Sequence, residues 1–179
     1  MGLIDSIKNF FKRFGAKNSV DDKPSADSDL FGADEIIYTV EVTDLNSILT
    51  ICQKDFSQPG YAAARKVPDN AYARIILDGI KGKMLNYVQK VESIYAKKLK
   101  ELEDKIEALT NDGLQDLANT VQIDIERITE EVSRLNDIKI QIEEETENGA
   151  FMHVKKTFTA GFTRGLVEET FMNKIQENL

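Results

Sequence analysis

The chain contains one histidine, His153, and one cysteine, Cys52. These two side chains supply many protein nucleophiles and zinc ligands, so their scarcity argues against a His-based catalytic triad and against a zinc site with several histidines. His153 stands between Met152 and Val154, which favours a structural position in or beside an apolar core. Cys52 falls on the apolar face of a predicted helix, which favours a buried thiol over a reactive one. A single cysteine also excludes an intramolecular disulfide.

Two other short patterns are weak evidence for chemistry. The acidic run EEETE at residues 143–147 lacks the helical Glu-x-x-His pairs of a bundle metal site, and we interpret it as a solvated face. The run GFTRG at residues 161–165 matches G-x-x-x-G, which outside an apolar membrane span indicates close packing of helices. The sequence has no phosphate-binding loop and no dinucleotide fingerprint. We therefore expect a protein without enzymatic activity, cofactor, metal ion or small-molecule substrate.

Charge is unevenly distributed along the chain. The net charge of −8 argues against a nucleic-acid-binding protein, because such proteins need a basic face. Residues 1–17 nevertheless carry four bases against one acid, whereas residues 18–35 carry six acids against one base. A basic block followed by an acidic one predicts two segments with different roles.

The basic block has the pattern of an amphipathic helix. Its apolar residues recur at helical spacing, and charged and polar residues fill the rest of the helical wheel. Such a helix sinks its apolar face into the headgroup region while its bases meet anionic lipids. The same face could instead fill a groove on a protein partner or pack on the chain's own hairpin. The predicted membrane-binding residues are Leu3, Ile4, Ile7, Lys8, Phe10, Phe11, Lys12, Arg13, Phe14 and Lys17.

Residues 18–35 are a predicted flexible linker, since they are rich in Ser and Asp and show no regular period. The next residues, EIIYTVEV, alternate in a way that favours a short strand at 36–42, although the start of a helix stays open. A helix capped by Thr43 is then predicted to end near Phe56, and residues 57–68 are predicted to form a loop. The apolar face of that helix consists of Leu45, Ile48, Leu49, Cys52 and Phe56.

Two matching series of apolar residues give the clearest architectural signal. Both follow the same succession of three- and four-residue steps, with the average of about 3.5 that is typical of a left-handed coiled coil. The turn-forming residues TNDG separate the two series and break their helical phase. We therefore predict an antiparallel hairpin with arms at about 69–109 and 114–147, in preference to one continuous rod. The predicted interface consists of Val88, Val91, Tyr95, Leu99, Leu102, Ile106, Leu109, Leu114, Leu117, Val121, Ile125, Ile128, Val132 and Leu135.

The last segment, at about 150–178, is predicted to be a helix that folds back on the hairpin base. Its apolar stripe consists of Phe151, Val154, Phe158, Phe162 and Leu166. The predicted fold class is mainly α, with a long coiled-coil-like antiparallel hairpin, flanking short helices and a detached N-terminal amphipathic helix. The predicted organisation is an anchor at 1–17, a linker at 18–35 and a helical domain at 36–179.

This organisation is typical of peripheral membrane proteins. The leading hypothesis is a non-enzymatic adaptor or scaffold that docks on an anionic membrane surface through residues 1–17 and offers the hairpin to a protein partner or to another copy. No apolar run reaches the roughly 18 residues of a membrane span, so we expect a cytoplasmic protein at the inner face of a membrane. The alternatives are a soluble structural subunit, which would assemble through the hairpin and the 36–42 strand, and a lytic or remodelling membrane-active protein.

Overall fold

A computed structural model describes residues 41–177, with the backbone alone for 173–177. Within this part of the chain the helices are α1 (Leu45–Gln53), α2 (Ser57–Lys66), α3 (Asn70–Asn111), α4 (Gln115–Glu144) and α5 (Ala150–Glu177). The structure is mainly helical, as predicted, and no strand occurs among the described residues. The predicted amphipathic helix, the predicted linker and residues 36–40 of the predicted strand lie outside them. Val42, at the end of that strand prediction, is in neither helix nor strand.

Helices α3 and α4 form the predicted antiparallel hairpin. Asp69 caps α3 by accepting a hydrogen bond from the Ala71 amide at 2.8 Å. The helix then runs for 42 residues, which corresponds to about 63 Å at the helical rise of about 1.5 Å per residue. The turn includes Gly113, whose φ of 75° lies in the left-handed region that glycine adopts without steric cost. Contacts between the arms follow antiparallel order, since Tyr95 meets Glu131 while the earlier Lys81 meets the later Glu145.

The core lies in the proximal part of the hairpin, which is the part farther from the turn. There α1 and α5 pack on its arms. One cluster of buried side chains extends from Val42 to Phe162 and includes α3 as far as Leu99. Beyond Leu99, the α3 residues Leu102 and Ile106 are only partly buried against this cluster. The distal part of the hairpin, by contrast, consists of two helices that cover each other incompletely.

The prediction of a loop at 57–68 is wrong, because residues 57–66 form α2. Pro59 is compatible with this helix because it lies in the first turn, where backbone amides have no acceptor within the helix. Gly60 is needed for contact with α5, since a Cβ there would lie 2.1 Å from the Phe158 carbonyl oxygen. The apparent helix breakers therefore reflect the start of a helix and its close packing.

Close packing of the GFTRG segment is confirmed. Helices α2 and α5 run parallel, and their contacts pass in order from Ser57 with Gly161 to Arg65 with Glu169. A Cβ at Gly161 would lie 1.8 Å from the Ser57 carbonyl oxygen, and one at Gly165 would lie 2.7 Å from the Ala64 Cβ. Small residues on both helices thus bring the two backbones together.

Helix α1 differs from its prediction in two details. Its N-cap is Asp44 and not Thr43, because the Asp44 carboxylate accepts hydrogen bonds from the Ser47 hydroxyl at 2.6 Å and the Ser47 amide at 2.8 Å. These bonds hold the pKa of Asp44 below its ordinary value. Leu49 is 37 % exposed, whereas Ile51 is buried. Leu45, Ile48 and Ile51 follow one another at three-residue intervals and are all buried. The buried face of α1 is therefore rotated away from Leu49.

Candidate functional site

The residues predicted to bind a membrane, between Leu3 and Lys17, lie outside the described part of the chain. Among the described helices, none has both the length and the apolar character that crossing a membrane requires. The described surface is that of the hairpin and of the helices packed on it.

The predicted hairpin residues fall into three groups by burial. The partly buried residues are Leu102, Ile106 and Leu109. The structure differs from the prediction at Leu114 and Leu117, which are 46 % and 54 % exposed. Leu114 belongs to the turn before α4, and on α4 it is Ala118, three residues before Val121, that takes the buried position. The buried members of the set are Val88, Val91, Tyr95, Leu99, Val121, Ile125, Ile128, Val132 and Leu135.

We call the incompletely covered members of the predicted interface near the turn the distal apolar stripe: Leu102, Ile106, Leu109, Leu114 and Leu117. Its surroundings are strongly acidic, because residues 100–124 contain seven acids and two bases. Glu101, Asp104, Glu107 and Asp116 among these acids are exposed. An apolar strip within an acidic surface has the chemistry to bind a basic amphipathic segment.

Tyr95 joins α1 to both arms of the hairpin. Its hydroxyl donates a hydrogen bond to the Glu131 Oε2 at 2.5 Å and accepts one from the Leu45 amide at 2.9 Å. Burial, followed by the bond to Glu131, raises the pKa of Tyr95 to about 12. The single hydroxyl satisfies an amide at the start of α1, which would otherwise be buried without an acceptor.

A cluster of charges around Glu145 joins the hairpin base to α5. The carboxylate accepts hydrogen bonds from the Lys155 Nζ at 2.6 Å and the Lys81 Nζ at 2.8 Å. The bond from Lys155, and then that from Lys81, holds the pKa of Glu145 below its ordinary value. Glu145 is the C-cap of α4 and has a left-handed φ of 50°, which ends the helix. Its carboxylate joins α3 to α5 through Lys81 and Lys155. The interpretation of EEETE as a solvated face agrees with the exposure of Glu143, Glu144 and Glu147, whereas Glu145 is partly buried and paired with two lysines.

Cys52 and His153 line one open pocket of about 410 Å³ between α1, α4 and the start of α5. Burial raises the pKa of the Cys52 thiol to about 11, so this thiol stays protonated at neutral pH. The burial of Cys52 is as predicted, whereas His153 is exposed beside the core. Within residues 41–172, no three His, Cys, Asp or Glu side chains come close enough together to hold a metal ion.

Comparison with protein-family models, with curated proteins and with solved structures finds no match for this chain.

Sequence reasoning missed the partners of Tyr95 and Glu145 because most of them, namely Leu45, Glu131 and Lys81, lie 36 to 64 residues away along the chain. A signal was present for Tyr95, since a tyrosine in an apolar seam needs a partner for its hydroxyl. The acidic residues nearby did not reveal which carboxylate would serve. For Glu145 no local pattern indicated the left-handed conformation or the two lysines.

Proposed function

We propose that this chain is a non-enzymatic peripheral membrane adaptor or scaffold. Residues 1–17 bind an anionic membrane surface, and α3 and α4 offer a surface to a protein partner or to a second copy. The observation that carries the proposal is a contrast in charge, because residues 1–17 are basic, whereas the hairpin exposes acidic side chains near its turn, among them Glu101, Asp104 and Glu107. This contrast supports a role for the basic segment that the hairpin does not share.

Charge favours attachment through the basic segment and not through the hairpin. Each base near an anionic surface contributes about 1 kcal/mol of attraction, and residues 1–17 carry four bases against one acid. Residues 114–147 carry three bases against ten acids, so this arm is repelled by the same surface. The hairpin would therefore point away from the membrane and remain accessible to a partner.

Co-sedimentation with vesicles tests the proposal. We expect the full chain to pellet with vesicles enriched in phosphatidylglycerol, and the chain lacking residues 1–17 to remain in the supernatant. A Phe10→Asp/Phe11→Asp variant should behave like the truncated chain, because it introduces charge into the inserting face. Phe31→Asp is the matched control, since Phe31 lies beyond the basic segment, and it should retain binding. Equal pelleting of the full and truncated chains would contradict the proposal.

A structural subunit of a self-assembling complex is the second candidate, and the end of α5 favours it. Phe171 is 65 % exposed, and its neighbours Val167 and Met172 are also exposed. Contiguous apolar side chains at a surface are typical of protein interfaces. Light scattering without lipid separates the two candidates, since defined oligomers that Phe171→Asp dissociates would support assembly through α5. A monomer at high concentration would contradict it.

A further inference from the structure

We infer that the distal apolar stripe is a docking site for residues 1–17 of the same chain when no membrane is present. The inference rests on the proposed function, because the docked segment is the proposed membrane anchor. The hairpin and the membrane then compete for one amphipathic segment, and the chain exposes it fully only where a membrane surface is available.

The hairpin by itself leaves the stripe incompletely covered. Leu114 and Leu117 are exposed to 46 % and 54 %, and Leu102, Ile106 and Leu109 on α3 are partly buried. The main cluster of the core reaches only Leu99 on α3 and Ile125 on α4. An amphipathic segment laid over the stripe would remove these leucines from water, at about 25 cal/mol for each Å² of apolar surface buried.

The acidic charge around the stripe favours residues 1–17 over a second copy of the hairpin as the bound segment. A second copy of the distal hairpin would bring two acidic surfaces together, because residues 100–124 hold seven acids and two bases. Residues 1–17 have the opposite sign, with four bases and one acid. Their apolar residues Leu3, Ile7 and Phe10 recur at helical steps, as expected for a segment that fills a groove between two helices.

The chain is long enough for this contact. The Leu45 amide is hydrogen-bonded to Tyr95, so the described chain begins beside this position on α3. From Tyr95 to Leu109 the helix rises about 21 Å, at about 1.5 Å per residue. The residues from 18 to 40 can span up to about 80 Å when extended. Residues 18–40 are therefore long enough to let residues 1–17 reach the stripe.

Hydrogen exchange of the protein without lipid is the first test. We compare the full chain with the chain lacking residues 1–17 at low protein concentration. If the segment is docked about nine-tenths of the time, the amides beneath it can exchange only during the remaining tenth. Their exchange should therefore be slower by about tenfold. We expect faster exchange in residues 100–121 of the truncated chain and no change around Val88. Equal exchange in the two proteins would overturn the inference, and protection that grows with concentration would do so too, since it indicates docking between copies.

Vesicle binding by the full chain is the second test. Leu114→Gln/Leu117→Gln should release the anchor and raise the apparent affinity for phosphatidylglycerol-containing vesicles by about tenfold, if the segment is docked about nine-tenths of the time. Ile123→Gln is the matched control, because Ile123 is 66 % exposed on α4 but lies outside the stripe. Its affinity should equal that of the unaltered chain.

The two tests separate failure of the inference from failure of the proposed function. If vesicle binding requires residues 1–17 but is the same with and without the Leu114→Gln/Leu117→Gln change, the docking inference is wrong and the membrane proposal stands. If vesicles bind none of these proteins, the membrane proposal is wrong. The exchange experiment contains no lipid, so it still decides whether the segment docks on the stripe.

Discussion

At the scale of single residues, Tyr95 shows how one polar atom fixes the relation of three helices. The residue lies in the hydrophobic seam of the hairpin and is 5 % exposed. Its hydroxyl is nevertheless fully used, by the Leu45 amide on one side and the Glu131 carboxylate on the other. Apolar burial alone would tolerate α1 at several positions along the hairpin, whereas this pair of hydrogen bonds specifies one of them.

We expect Tyr95→Phe to lower the free energy of unfolding by about 1–3 kcal/mol, because it leaves the buried Leu45 amide without an acceptor. Urea denaturation at neutral pH measures this change. Tyr87→Phe is the control, since Tyr87 is partly buried on the same helix and no hydrogen bond to its hydroxyl is found among the described residues. Equal stability of the Tyr95→Phe variant and the unaltered chain would contradict the assigned role.

The same pair of proteins should respond to alkaline pH. The pKa of Tyr95 is raised from 10.0 to about 12 in the folded protein, so the unfolded chain loses this proton first. The stabilising contribution of Tyr95 is therefore complete below pH 10.0 and declines as the pH rises towards about 12. The stability difference between Tyr95→Phe and the unaltered chain should shrink across this interval.

At the scale of elements, the pair of α2 and α5 depends on residues without side chains. Gly60, Gly161 and Gly165 each lie where a Cβ would overlap atoms of the facing helix. Around this contact, Arg164 stacks over the Tyr61 ring at 4.7 Å, and Arg65 pairs with Glu169 at 3.5 Å. The exposed ion pair adds little stability. The close approach of the backbones is therefore the main determinant of how α2 sits on α5.

Gly161→Ala should lower the free energy of unfolding by about 1–3 kcal/mol, since the added methyl group forces the helices apart. Gly82→Ala is a matched control with the opposite expected sign. A Cβ at Gly82 would meet nothing within 4 Å, and replacing a glycine inside a helix with alanine stabilises it by about 0.5–1 kcal/mol. Thermal and urea denaturation measure both changes. If the two variants shift stability in the same direction, close packing does not explain the glycine at position 161.

At the scale of the whole molecule, the described residues form a packed proximal body from which a two-helix hairpin extends. The body combines α1, α2 and α5 with the first part of α3 and the last part of α4. The distal hairpin has a thinner core, whose α3 leucines are partly exposed. Local stability should decrease along the hairpin towards the turn, because fewer buried contacts hold the distal helices together.

A chain beginning at residue 41 should retain the fold. The buried side chains of the described residues, from Val42 to Phe162, already form one cluster with one another, and we expect this cluster to suffice for folding. We expect this shorter chain to show by circular dichroism the helix content of α1 to α5. We also expect a single cooperative thermal transition, as for the full chain. The chain lacking only residues 1–17 serves as an intermediate comparison. A broad transition without cooperativity would show that residues 18–40 are part of the folded body.

The sequence determined the mainly helical fold, the hairpin and its turn, and the apolar stripe of α5, because these depend on hydrophobic periodicity and local turn chemistry. Only the tertiary structure decided that residues 57–66 are helical, since the stabilising contact is with α5, about a hundred residues later in the chain. It also decided that Leu114 and Leu117 are exposed, because sequence spacing gives a helical face but not whether another helix covers it. The candidate docking surface arises from that difference.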